Sequence, residues 1–94
     1  MSAHEIRPAF VSPPGDLIRE ELKERGWTQK YLAEQMDRPK QVISDIINAK
    51  KRITPDTAFE LEDAFEVPAE FWAGLQMEYD LYLVWKKRRE RVPA

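Results

Sequence analysis

The sequence predicts one small all-α domain of five helices, of which the last is much the longest. Apolar residues recur at helical spacing, most clearly on both sides of Asp37 and Arg38. Capping residues, prolines and a glycine divide this pattern into segments. The 94 residues, 43% hydrophobic and 34% charged, suit a single modest core. We expect an extended arm over residues 1–12, the domain over residues 13–90 and a tail over residues 91–94.

The first helix is predicted to begin near Pro14 and to end near Arg25. Asp16 then lies in the first turn, where the helix dipole favours a negative charge, and Gly26 is the stop. The arm before this helix has no helical period. We expect the helix to bury Leu17, Ile18 and Leu22.

Two short helices joined by a tight turn follow. Thr28 is predicted to cap helix two, whose body runs to Met36, and helix three opens with Pro39 at its first position and runs to about Asn48. Asp37 lies in the turn, where a left-handed residue is often needed. The two helices share an apolar set that each can bury against the other: Leu32, Ala33, Met36, Ile43, Ile46 and Ile47. This arrangement is typical of a DNA-binding helix-turn-helix, whose recognition helix we place at about residues 39–48.

The C-terminal part is predicted to form two more helices. Thr54-Pro55-Asp56 starts helix four, which buries Ala58, Leu61 and Phe65, and Val67-Pro68 interrupts it. The last helix runs from about residue 69 to residue 89. One face is expected to close the core: Phe71, Trp72, Leu75, Tyr79, Tyr82 and Leu83. The other side carries Leu81, Val84 and Trp85, which need cover from another protein chain, because large exposed apolar patches are rare on monomers.

The charges are distributed unevenly along the chain. The net charge is -2, but residues 28–52 are rich in lysine and arginine, and residues 53–85 contain neither. That second stretch carries eight acids, and Lys86 to Arg91 then reverses the sign. Because local patches govern phosphate attraction, one basic face for DNA and one acidic face for a basic partner are compatible with this total. The basic residues at the end of the last helix are explained most economically by their favourable interaction with the helix dipole. A phosphate contact and a membrane-surface anchor are the alternatives.

The start of helix three carries the candidate base-contacting residues Lys40, Gln41, Ser44 and Asp45. Lys40 can donate to guanine and Gln41 can pair with adenine, whereas Asp45 can only accept, as from cytosine N4, or repel phosphates. Candidate phosphate contacts are Thr28 and Gln29, at the start of helix two, and the basic residues after helix three: Lys50, Lys51 and Arg52. Each has a plainer alternative: a solvated surface residue or, for Asp45, a partner for Lys50.

Four segments of the chain closely resemble HigA-type antitoxins, also called virulence-associated protein I. They are residues 14–22, the helix-turn-helix, residues 53–58 and the block from Pro68 to Leu81, which includes Phe-Trp, Leu-Gln and Tyr-Asp-Leu. The resemblance implies a five-helix Cro/repressor-like fold, a homodimer formed partly through the last helix, operator binding and neutralisation of a RelE-like (HigB-type) mRNA-cleaving toxin. Leu81, Val84 and Trp85 would then contact the second subunit or the toxin. The family usually has glycine at positions 37 and 49 and often arginine at position 45, where this chain has Asp37, Ala49 and Asp45.

No catalytic constellation is found, and we expect a non-enzymatic protein. No cysteine is present, which excludes disulfides and cysteine-based zinc sites, and the single histidine, His4, lies in the arm. We expect no metal, cofactor, membrane or small-molecule substrate, and a cytoplasmic location. Two alternatives remain open: a stand-alone repressor of the same fold, and an interaction module that has lost DNA binding, which the acidic balance, Asp37 and Asp45 make credible.

Overall fold

The computed structural model describes residues 10–91, and its five helices follow the predicted order. They are α1 (Pro14–Arg25), α2 (Gln29–Met36), α3 (Lys40–Ile47), α4 (Pro55–Phe65) and α5 (Ala69–Arg91). The described residues contain no strand. The all-α prediction is therefore confirmed. Residues 1–9, most of the predicted arm including His4, and residues 92–94 of the predicted tail lie outside the described residues.

The helix boundaries follow the capping residues read from the sequence. The Thr28 hydroxyl accepts a hydrogen bond from the Tyr31 backbone N–H over 3.0 Å, and Thr54 accepts one from Thr57. Gly26 ends α1 with a left-handed φ of 68°. Local sequence signals therefore position most of the helix termini.

The start of α3 differs from the prediction by one residue. Pro39 has ψ of 145°, so it is the extended residue that precedes the helix, and Lys40 is the first helical residue. The proline φ of -61° is compatible with both conformations, and ψ decides between them. At the other end, α5 continues to Arg91, two residues beyond the predicted end.

The core lies where all five helices meet. It contains the predicted helix-turn-helix set, Ile18 and Leu22 of α1, Ala58, Leu61 and Phe65 of α4, and Trp72 of α5, all less than 9% exposed. Ala33 is 4% exposed in the contact between α2 and α3, as its small size predicts. Leu17 is only partly buried against this cluster.

Two residues of the predicted inner face of α5 are exposed, and Leu75 and Tyr79 are only half-buried. Phe71 is 44% exposed and Leu83 is 43% exposed, whereas their neighbours Trp72 and Tyr82 are buried. Adjacent residues of a helix point about 100° apart, so a narrow contact stripe accepts one of each pair. The prediction that Phe71 and Leu83 belong to the core was therefore wrong.

Gly15 allows the start of α1 to lie directly against the end of α3. A Cβ atom at this position would lie 2.2 Å from the Ile47 carbonyl oxygen. That distance is far inside van der Waals contact, so only hydrogen fits. Gly15 thereby determines how closely α1 approaches α3.

Within residues 10–91, three non-glycine residues have left-handed backbones, each just after a helix. They are Asp37 with φ 53°, Ala49 with φ 60° and Glu66 with φ 60°. The expectation of a left-handed residue at Asp37 is confirmed. A side chain in this region has a steric cost that glycine avoids, and Ala49, which has no polar side chain to hydrogen-bond locally, gains nothing in return.

Candidate nucleic-acid interface

The turn between α2 and α3 is fixed to α4 by a bidentate ion pair. Arg38 Nε and Nη2 donate to the two carboxylate oxygens of Glu60 over 2.9 and 2.6 Å. These hydrogen bonds and the Glu60 charge raise the pKa of Arg38 above its ordinary value. The arginine therefore stays charged throughout the physiological pH range. The pair holds the turn, and with it the start of α3, against the rest of the fold.

The four candidate base-contacting residues lie along α3 on the side away from the core. Lys40 and Gln41 are exposed, and Ser44 and Asp45 are half-buried. Gln41 Nε2 donates a hydrogen bond to Asp45 Oδ1 over 2.8 Å. The side-chain partner of Asp45 is therefore Gln41 and not Lys50, whose backbone N–H instead bonds the Asp45 carbonyl over 2.7 Å.

A chain of polar contacts joins α1 to the end of α3. Arg19 Nη2 donates to Asn48 Oδ1 over 3.2 Å, and Asn48 Nδ2 donates to Ser44 Oγ over 3.3 Å. Arg19 also pairs with Asp16 over 3.3 Å. Sequence reasoning missed Arg19, because nothing in the local pattern of α1 shows that its side chain reaches a residue 29 positions away. Arg19 adds an exposed positive charge beside the recognition helix.

The candidate phosphate contacts differ in how free their side chains are. Lys50 and Lys51 are exposed and form no ion pair within residues 10–91. The Thr28 hydroxyl is already used as a cap, and Gln29 is half-buried. Arg52 forms an ion pair with Asp80 of α5. A phosphate contact from Arg52 would therefore compete with this carboxylate.

The loop after α3 is attached to α5 through Gln76 and Asp80. The buried Gln76 accepts a hydrogen bond from the Ile53 backbone N–H over 2.8 Å, and it donates to Asp80 Oδ1 over 3.0 Å. Asp80 in turn holds Arg52. The Leu-Gln and Tyr-Asp-Leu motifs of the sequence therefore contain the two residues that position the basic loop.

The three residues predicted to contact another chain lie on α5 with different exposures. Leu81 is 49% and Val84 is 55% exposed, and Met77 extends their stripe with 58% exposure. Trp85 is half-buried: its ring lies 6.1 Å from that of Tyr82, and the Arg89 guanidinium lies 5.3 Å over it. The exposed apolar surface is therefore formed mainly by Met77, Leu81 and Val84.

The described residues offer few features of other kinds of site. Within residues 10–91, no group of three or more histidine, aspartate or glutamate side chains is arranged to hold a metal ion. None of the helices in this part of the chain is both long and apolar enough to cross a bilayer.

A five-helix fold with the polar side of α3 turned outward defines the class of helix-turn-helix regulators, which bind DNA and are not enzymes.

Comparison with known proteins places the chain within that class. A helix-turn-helix family model matches residues 18–72. Virulence-associated protein A′ of Dichelobacter nodosus is 35% identical over 80 residues, which cover 84% of this chain and 70% of that protein. The chain belongs to the helix-turn-helix family. It spans 60% to 70% of the length of the virulence-associated relatives that it matches.

Solved structures with the same fold include antitoxins. An addiction-module antidote protein of the HigA family from Coxiella burnetii has a TM-score of 0.78 and 31% identity, over 88% of this chain and 96% of that chain. The Pseudomonas aeruginosa antitoxin HigA, solved with the higBA promoter, has a TM-score of 0.75 and 28% identity, over 87% and 97% of the two chains. The family relationship predicted from the sequence is confirmed.

Proposed function

We propose that this protein is a dimeric, operator-binding antitoxin that represses its own operon and neutralises a RelE-like, HigB-type toxin that cleaves mRNA. The observation that carries the proposal is the outward polar face of α3 on a fold shared with HigA antitoxins, one of them solved with its promoter. Such a dimer would place its two recognition helices in half-sites about 34 Å apart on one face of the duplex.

The proposed DNA contacts divide into base and phosphate contacts. Lys40, Gln41 and Ser44 face base edges, with Asp45 bonded to Gln41 beside them, while Lys50, Lys51 and the start of α2 at Thr28 and Gln29 contact phosphates. Arg52 joins them when it leaves Asp80. Because each lysine that neutralises a phosphate releases counterions, affinity should fall steeply with salt.

A gel-shift assay with the protein's own upstream DNA tests operator binding. We expect a specific complex that weakens by at least about tenfold between 50 and 200 mM salt. An unrelated duplex of the same length and base composition is the control. Equal affinity for both duplexes would contradict operator recognition, and binding to neither would support the interaction module that has lost DNA binding.

Co-expression tests the toxin partner separately. We expect a small basic protein encoded beside this chain to arrest growth alone, and growth to recover when this chain is also produced. The Lys40→Ala, Gln41→Ala double variant should still restore growth, because its changes lie at the DNA face. Specific operator binding without any such toxin would identify a stand-alone repressor.

A further inference from the structure

A hydrogen bond within the recognition helix determines which edge of the Gln41 amide faces outward. Gln41 and Asp45 lie one turn apart on α3, and Gln41 Nε2 donates to Asp45 Oδ1 over 2.8 Å. A carboxylate only accepts hydrogen bonds, so the amide nitrogen and not the amide oxygen must point towards it. A flipped amide would bring two oxygen acceptors together. Asp45 therefore selects one of the two amide orientations of Gln41.

The backbone of Asp45 is held by the loop that follows α3. Asp45 is half-buried, and its backbone carbonyl accepts hydrogen bonds from the Lys50 and Lys51 N–H groups over 2.7 and 3.1 Å. Within residues 10–91, no lysine or arginine forms an ion pair with its side chain. The hydrogen bond to Gln41 therefore has no cationic competitor in the free protein.

We propose that Asp45 is a positioning residue that presents Gln41 to an adenine in the major groove. One N–H of the amide is used by Asp45, which leaves the amide oxygen and the second N–H facing outward. This acceptor and donor complement the N6 amino group and N7 of adenine. Guanine presents two acceptors at that edge, so its O6 would face the amide oxygen. The pair thereby favours A·T over G·C at one position of each half-site, an inference that rests on the proposed operator binding.

The same carboxylate has a second, opposite effect on binding. A negative charge on a helix that enters the groove opposes the phosphates of every sequence equally. Asp45 therefore lowers general affinity while it increases discrimination. Two substitutions separate these effects. Both remove the charge, but Asp45→Asn keeps an oxygen that can accept from Gln41 beside an N–H that can donate to it, whereas Asp45→Ala keeps no polar group.

Selection from a randomised duplex library, with wild type and Gln41→Ala, first locates the base pair that Gln41 reads. Duplexes with A, G or 7-deazaadenine at that position are then titrated with the wild type and with both Asp45 variants. We expect both variants to bind an unselected duplex more tightly, by a similar factor. The preference for A over G should be about tenfold or more in wild type and about twofold or less in Asp45→Ala. It should be intermediate in Asp45→Asn, whose amide allows either orientation of Gln41. Replacing A by 7-deazaadenine should weaken binding most in wild type and least in Asp45→Ala.

Several results would contradict the inference. An unchanged preference in Asp45→Ala would show that Gln41 needs no positioning. If Asp45→Ala changed the selected base in a Gln41→Ala background, Asp45 would be reading a base itself. If the wild-type protein selects a sequence independently of Gln41, only this inference is overturned. If it selects no sequence, the proposed operator binding is overturned as well. Thermal melting of each variant verifies that it is folded.

Discussion

At the scale of single residues, this chain uses side chains where glycine would have a lower conformational cost. Asp37 and Ala49, at the two positions where the family usually has glycine, both have positive φ. Asp37 ends α2 with its backbone N–H bonded to the Ala33 and Glu34 carbonyls, so the turn keeps its geometry without glycine. The side chains at these two positions therefore add a conformational cost that glycine would avoid.

Ala49→Gly should increase the free energy of unfolding. A left-handed alanine costs about 1–2 kcal/mol, which glycine avoids. The greater conformational entropy of glycine in the unfolded chain offsets about 0.4–1 kcal/mol of this gain in stability. We expect a net gain of about 0.5–1 kcal/mol in urea denaturation. The control is Ala73→Gly, at an exposed helical position of α5, which should lose about 0.5–1 kcal/mol. Changes of the same sign in both variants would contradict this account.

Lys40→Ala combined with Gln41→Ala should abolish operator preference. Both side chains are exposed in the first turn of α3, and each well-placed contact of this kind contributes roughly 1–3 kcal/mol of discrimination. Footprinting should show no protected operator, while circular dichroism shows unchanged helical content. Lys30→Ala combined with Gln35→Ala, two exposed residues of α2, is the matched control. A footprint that survives the first double substitution would remove Lys40 and Gln41 from the reading surface.

At the scale of helices, local signals predict more than long-range ones do. Thr28, Gly26 and the Thr54-Pro55 pair determine helix ends through bonds to residues three or four positions away, so the sequence suffices to find them. The exposure of Phe71 was not predictable in this way, because Phe71 and Trp72 are equally apolar and only tertiary packing decides which one is buried. The hydrogen bond from the Ile53 N–H to Gln76 was not predicted for the same reason.

Gln76→Leu should destabilise the protein and loosen the basic loop. The substitution removes the buried acceptor of the Ile53 N–H, and an unsatisfied buried donor costs about 1–3 kcal/mol. Chemical denaturation measures this loss, and amide exchange at residues 50–53 measures the loosening. Gln35→Leu, at an exposed position of α2, should change stability by less than about 0.5 kcal/mol. Equal denaturation midpoints for the two variants would show that Gln76 does not anchor the loop.

At the scale of the whole molecule, the described part is elongated, with extents of 49 × 23 × 23 Å, and α5 is its longest element. The sequence predicts the two exposed surfaces, the polar side of α3 and the apolar stripe of α5, because each follows from the periodicity of one helix. It does not predict that Trp85 is half-buried or that Arg52 is paired with Asp80. Those facts depend on which side chains meet across helices.

Leu81→Glu should weaken self-association. Leu81 is 49% exposed between Met77 and Val84, and a charge there would have to be buried in any dimer formed by this stripe. Sedimentation velocity should show more monomer at a given concentration, and operator affinity should fall as a consequence. Phe59→Glu, which replaces a 57% exposed residue of α4, is the matched control and should leave the mass unchanged. A dimer that persists in Leu81→Glu would place the interface elsewhere.

Trp85→Glu is expected to act in the same direction, but it also disturbs the contact with Tyr82.

The lack of a side chain at Gly15 affects the orientation of α3. A methyl group at that position would collide with the last carbonyl of α3, which must then move by about 1 Å or more to restore ordinary contact. The axis of α3 is only about 12 Å long, so such a shift at one end tilts the helix by roughly five degrees. The side chains at its opposite end would then approach a duplex at a different angle. Gly15 thus affects the direction in which α3 presents the side chains that are proposed to contact DNA.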